Sequence, residues 1–186
     1  MKPEREGARE SSPMLRGLPA ILPDGPIRAL VLGSFPSVAS LERREYYGNP
    51  HNWFWRVLAA CGVIADAAAS YPERVDAVRE CGIAVWDLYA AVRRPGSGDD
   101  AIRDAQPNPV GALYGERGPF PILLNGRRLR EWRRHFAVLD AAPVALPSTS
   151  PRPLHWNTPE ARAAATAEWC AALRAAGVAT PRYWVP

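Results

Sequence analysis

Several chemistries can be set aside because the chain lacks the residues they need. It holds three cysteines, Cys61, Cys81 and Cys170, and three histidines. The cysteines are too far apart for a C-x-x-C clip, so neither a zinc nor an iron–sulfur site is suggested. They read as small core residues in a reducing compartment. No apolar run approaches the roughly 18 residues that a membrane span needs. The first residues, MKPEREGARESSPMLRG, mix both charges around no apolar centre, so a signal peptide is not expected. Neither G-x-x-x-x-G-K-[ST] nor G-x-G-x-x-G follows any apolar run, which argues against an α/β enzyme for a small phosphorylated substrate. Asp99, Asp100 and Asp104 have no histidine beside them, and Asp99 before Ala101-Ile102 reads as a helix cap rather than a metal ligand. There are no internal repeats.

What is present suits one globular domain. With 186 residues, 47% of them hydrophobic, the chain is long enough to bury a substantial core. Residues 1–18 are expected to form a loose tail and residues 19–186 a single domain. The formal net charge of +4 mildly favours a polyanionic partner.

The segment from Arg28 to Gly62 organises the rest. An apolar run, Ala29-Leu30-Val31-Leu32, breaks at Gly33 into a loop with Pro36 and two tyrosines, then enters an apolar aromatic helix ending at Gly62. Asn49 is the expected cap of that helix and Pro50 its first residue. Ser70 and Glu73 form a capping box around Pro72, opening a helix that stops at Cys81-Gly82. Ile83 to Leu88, Pro121 to Leu124 and Val144 to Leu146 read as further buried strands. Arg93 to Pro109 reads as a long polar loop, and an arginine-studded helix is expected from Gly126 to Phe136. Thr158 and Pro159 open a last helix that ends at Gly177, striped by Ala161, Ala165, Trp169 and Leu173. Short apolar strands alternating with helices give an α/β class with a mainly parallel sheet. Each strand runs into a loop of Gly, Ser, Pro, Asn or Asp, so four loops should converge on one crevice at the carboxyl edge.

GSFPSVASL followed by YYGNPHNWFW resembles the first motif of the uracil-DNA glycosylase superfamily, and most closely its hypoxanthine-DNA glycosylase branch. GIAVWDLYAAVRRPGSGDDAIRD, FPILLNG and LPSTSP follow in the expected order, so the resemblance covers most of Arg28 to Pro151. It implies a three-layer α/β/α domain with a central four-stranded, mainly parallel sheet. It also implies a monofunctional enzyme that flips a deaminated base out of DNA and hydrolyses its glycosidic bond with no metal or cofactor. Most superfamily members carry Asp or Asn where Phe35 stands, and His or Asn where Leu146 stands. Both departures match the hypoxanthine branch, in which an asparagine after the aromatic loop takes over; here that is Asn52. They disfavour efficient removal of uracil.

The resemblance assigns roles residue by residue. Asn52 would orient the attacking water or, alternatively, bond only to local backbone. Tyr47 would stack on the flipped base or pack behind its loop, and Tyr46 is expected to be packing. Asp87 would accept from N1–H of hypoxanthine or cap the turn that follows. Gly33, Ser34 and Phe35 complete the base site, with backbone N–H groups of the Gly33 to Ser37 loop aimed at O6. Ser148, Thr149 and Ser150 offer phosphate contacts, and Ser37, Asn125 and Arg152 join them at the DNA. Arg127 is the arginine of its helix nearest the strand end. Leu154 or Trp156 would wedge into the gap left by the base, and His155 would touch a phosphate. The expected partner is DNA carrying deaminated bases, with hypoxanthine foremost. Uracil or a mismatched pyrimidine is the competing substrate, and a DNA-binding module without catalysis is the competing class. A cytoplasmic bacterial monomer is expected.

Overall fold

A computed structural model describes residues 12–127, 142–152 and 156–178. Its centre is a parallel sheet of four strands: β2 (Ala29–Gly33), β3 (Ile83–Asp87), β6 (Ile122–Asn125) and β7 (Val144–Leu146), in the order β3-β2-β6-β7. The register pairs Gly33 with Asp87 across β2 and β3, and Asn125 with Leu146 across β6 and β7. Four strand ends therefore finish at one edge.

The sheet has helices on one face and a mixed layer on the other, because its strands alternate in what they bury. Ala29, Val31, Ile83, Val85 and Leu123 pack against α2 (Phe54–Ala60), α3 (Tyr71–Glu80) and α5 (Pro159–Ala175). Leu30, Leu32, Ala84, Ile122 and Leu124 face the other way, onto Val110 and Leu113 of α4 (Val110–Arg117), Phe120 and Phe35. The capping box of α3 forms as expected, with Glu73 Oε2 accepting from the Ser70 amide at 2.9 Å. Thr158 caps α5, accepting from Ala161 N–H at 3.2 Å.

Several sequence expectations need correction. Met14–Arg16, inside the expected tail, form strand β1, which pairs antiparallel with β4 (Tyr89–Arg93). The expected loop from Arg93 to Pro109 contains strand β5 (Arg103–Pro107), which pairs with the other side of β4 through two register shifts. All five β5 residues are exposed, so no apolar alternation marks them. Within the same loop Asp99 caps nothing: it belongs to a short 3-10 turn whose N-cap is Gly98, and it pairs with Arg94. Finally, Cys61 and Cys170 are joined in a disulfide between the end of α2 and α5, leaving Cys81 as a buried free thiol.

The helix expected from Pro50 starts four residues later, at Phe54. Asn49 Oδ1 accepts from His51 N–H and Asn52 Oδ1 from Phe54 N–H, both at 2.9 Å. These local bonds compete with the helix and hold Asn49 to Asn52 in turns. Ahead of them, Val38–Arg43 form a short helix, α1, capped by Ser37. The remainder of the arginine-rich helix expected after Arg127 lies outside the described residues, as do Leu154 and His155.

Candidate active site

The strand ends open into a cleft of about 980 Å³. Of the residues expected at the site, Gly33, Ser34, Phe35, Ser37, Tyr47, Asn52, Asp87, Asn125, Arg127, Ser148, Thr149, Ser150 and Arg152 all line it. Ser97, Asp99 and Asp100, from the polar connection between β4 and β5, close one side. Ala161, Ala165 and Glu168 of α5 close another. No sequence signal pointed to these, since only the chain's return path brings them there.

Asp87 stands at the cleft floor with 4% of its surface exposed, and its Oδ2 has no hydrogen-bond partner. Its backbone carbonyl accepts from Asn108 Nδ2 at 2.8 Å. Burial, with the neighbouring Asp99 charge, pushes the carboxyl up to about 8, against a smaller opposing effect of Arg94. At neutral pH it is therefore mainly the acid, not the carboxylate expected from sequence. Gly33 is the residue that makes room for it: a Cβ there would lie 2.3 Å from Asp87 Oδ1 and 3.4 Å from the Tyr47 hydroxyl.

Tyr47 forms a wall of the cleft. Its backbone is left-handed, with φ of 54°, an uncommon conformation for a tyrosine. One ring face is stacked on Phe54 at a centroid distance of 3.9 Å. Its hydroxyl points toward Asp87 and the Asn125 amide without a hydrogen bond of good geometry, and burial holds its proton well above the ordinary tyrosine range. Buried Ser40 holds the strained segment, accepting from Gly48 N–H at 3.0 Å, while Arg43 donates to the Gly48 carbonyl at 2.9 Å. Tyr46 is packing, with its hydroxyl donating to the Leu18 carbonyl.

Other candidates divide by where their polar atoms go. Asn125 and Thr149 are locked together: Asn125 Nδ2 donates to Thr149 Oγ1 and Thr149 N–H donates to Asn125 Oδ1, both at 2.8 Å. The Thr149 side chain is fully buried, so this pair shapes the β7 loop from beneath, whereas Ser150 and exposed Arg152 remain at its surface. The Ser37 hydroxyl caps α1. Arg127 is exposed and paired with Glu168. Trp156 is not a free wedge: it is buried, stacked on Trp53 at 5.2 Å, and donates to the Ser148 carbonyl at 2.7 Å.

Arg94 was missed by the sequence reading, which places it in a long polar loop from Arg93 to Pro109. It is only 3% exposed, lies 5.1 Å from the Phe35 ring centre and donates to the Pro36 carbonyl at 2.6 Å. It fixes the loop after Gly33 from behind.

A deep cleft at the carboxyl edge of a parallel sheet, walled by an aromatic and floored by a buried acid, is built to hold a planar heterocycle removed from bulk water. The chain is 36% identical over 138 residues to the hypoxanthine DNA glycosylase of Methanosarcina acetivorans, covering 73% of this chain and 85% of that protein. It is 32% identical over 120 residues to the hypoxanthine DNA glycosylase of Methanosarcina barkeri, covering 63% and 74%. A solution NMR structure from M. acetivorans, proposed as a uracil DNA glycosylase, superposes with a TM-score of 0.72 at 30% identity, over 89% of this chain and 99% of that one. No family model matches. The chain belongs to the hypoxanthine DNA glycosylase family, within the uracil-DNA glycosylase superfamily, and is thus a DNA glycosylase, an enzyme that hydrolyses N-glycosidic bonds.

Proposed function

We propose that this enzyme flips hypoxanthine out of DNA and hydrolyses its glycosidic bond with a water oriented by Asn52. The observation that carries the substrate is the partnerless, proton-retaining carboxyl of Asp87 beside the Tyr47 ring. Hypoxanthine presents an N1–H donor next to the O6 acceptor. A neutral carboxylic acid matches both at once, accepting from N1–H and donating its own O–H to O6. Tyr47 gives the base an aromatic face, with Phe54 supporting it from the other side. Backbone N–H groups after Gly33, in a loop steadied by Arg94, would stabilise the negative charge that gathers on the departing base.

Asn52 lines the same cleft, and its amide is oriented by the bond from Phe54 N–H to Oδ1. That bond uses one of two lone pairs, so Oδ1 retains an acceptor for a water. An amide is a poor base, and its contribution is placement of a nucleophile that an oxocarbenium-like sugar does not need to be strong.

The test is strand cleavage after alkali on one duplex series carrying hypoxanthine, uracil, xanthine or no lesion. Cleavage at hypoxanthine should fall by roughly a hundredfold or more in Asn52→Ala. Asp87→Asn keeps one acceptor and one donor and should retain much of the activity, whereas Asp87→Ala should not. Uracil offers the same N–H and C=O pair, so it is the competitor in the series. Stronger cleavage at uracil than at hypoxanthine would overturn the substrate, and full activity in Asn52→Ala would overturn the catalytic asparagine.

A further inference from the structure

Beside the cleft, two arginines from different helices converge on one indole. The guanidinium carbon of Arg56, in the first turn of α2, lies 4.9 Å from the centre of the Trp53 ring. That of Arg162, at the start of α5, lies 5.4 Å from the same ring. Trp53 is itself held rigidly. It is stacked on buried Trp156 with 5° between the planes, and its backbone N–H donates to the Thr149 carbonyl at 2.9 Å. The arrangement is a tower in which an indole pair from the interior carries two cations at its outer end.

Neither arginine has an acidic partner among the described residues, unlike Arg79, Arg93, Arg94 and Arg127. Among the described residues the single hydrogen bond of either guanidinium runs from Arg56 Nη2 to the Pro50 carbonyl at 3.3 Å, which leaves most of the donors of both groups for another ligand. Two like charges drawn onto one ring repel, and cation–π attraction at a partly exposed site offsets this only in part. A third, anionic component completes the balance. The position is equally informative: Asn52 immediately precedes Trp53 and Ala161 immediately precedes Arg162, and both line the cleft.

We propose that Arg56 and Arg162, preorganised by Trp53, form a phosphate clamp that grips the DNA backbone as it passes the α2 and α5 side of the cleft. The inference rests on the family assignment for its ligand, DNA, and does not depend on which base is excised. The indole orients the guanidinium planes and reduces the side-chain freedom lost on binding, while N–H groups at their edges meet phosphate oxygens. Both arginines follow cleft-lining stretches of the chain, so a strand held there would run beside the cleft that Tyr47 and Asp87 line.

Binding of an undamaged fluorescent duplex, titrated at salt concentrations between about 50 and about 200 mM, tests this directly. Arg56→Gln and Arg162→Gln should each reduce the slope of log K against log salt by about 0.9, which at about 0.1 M salt corresponds to roughly eightfold weaker binding. Arg56→Lys and Arg162→Lys, which keep the charge, should keep the slope. Arg174→Gln, at the far end of the same helix α5, should match the wild type. Wild-type slopes in both Gln variants would overturn the clamp even if hypoxanthine is excised. Slopes lowered as stated would support it even if the excised base proves to be another.

Discussion

Replacing Asp87 with asparagine should change how the protein's stability depends on pH, by an amount that follows from its buried carboxyl. In the folded protein this group keeps its proton up to about pH 8. In an unfolded chain an aspartate releases it near about pH 4. Between those values the folded state holds one proton more than the unfolded state, so raising the pH favours unfolding. Asp87 therefore makes the protein most stable at acid pH and costs it about 1.4 kcal/mol per pH unit across the window, until the slope levels off above about pH 8. The size of this slope depends only on the window's being open, not on where its upper end falls.

Asparagine has the shape of the neutral acid and no proton to lose. Wild type and Asp87→Asn should have similar stability near about pH 4.5 and diverge as pH rises, the variant becoming the more stable by about 3 kcal/mol over two pH units. For a protein of 186 residues that corresponds to a gap in melting temperature opening by roughly 6–12 °C. Urea unfolding at about pH 5, 6 and 7, followed by tryptophan fluorescence, reads the difference directly. Parallel pH dependences for the two proteins would mean that Asp87 is ionised when folded. The acid-to-lactam pairing proposed for hypoxanthine would then fall with it. A consistent pair of results would also include excision: wild-type activity should decline above about pH 8 as the acid ionises, and Asp87→Asn should lose that part of the decline.

Three further perturbations separate the site from its supports. Gly33→Ala places a methyl against the Asp87 carboxyl, where a Cβ would sit 2.3 Å from Oδ1; it should cost about 1–3 kcal/mol in urea unfolding and most of the excision activity. Activity at the wild-type level would show that the carboxyl can move away harmlessly. Thr149→Val keeps the volume but strands Asn125 Nδ2, so unfolding should register a loss of about 1–3 kcal/mol; no change would mean that the amide finds another partner. Reducing the bond between Cys61 and Cys170, which are 109 residues apart in sequence, should lower stability by about 2–4 kcal/mol while leaving the cleft residues in place. Equal urea midpoints with and without reductant would remove that assignment.

The four central strands and the capped helices were legible because each carries a local signal that its packing reinforces. Ile83–Asp87 is an apolar run that ends in the acid at the cleft floor, and Ser70 with Glu73 marks a helix start through bonds made within four residues. The exposed strand β5 was not legible because a strand with no buried face has no alternation to read; its partner β4 defines it. The start of α2 was misplaced for a related reason. Asn49 and Pro50 are good helix openers, yet both asparagines of Asn49 to Asn52 use their side chains on backbone N–H groups two residues ahead. The same bond that delays the helix is the one that orients Asn52 in the cleft, so the local departure from helix rules coincides with the proposed catalytic position.

Trp156 and Arg94 show where side-chain type misleads. An indole beyond the last strand loop suggests a wedge, and an arginine after a strand suggests solvent. In the fold each is drawn inside by a partner far away in sequence, Trp156 by Trp53 and Arg94 by the Pro36 carbonyl. Both burials serve the cleft indirectly. Trp156 stiffens the platform that carries Trp53 next to Asn52, and Arg94 braces the cleft-lining loop after Gly33. A glycosylase must place donors where charge will develop before the bond breaks, because donors that first had to reorganise would surrender much of their effect. The buried arginine and the paired indoles supply that rigidity from the second rank of residues. This is why the motif residues alone, read from sequence, pointed to the candidate cleft without revealing what holds it still.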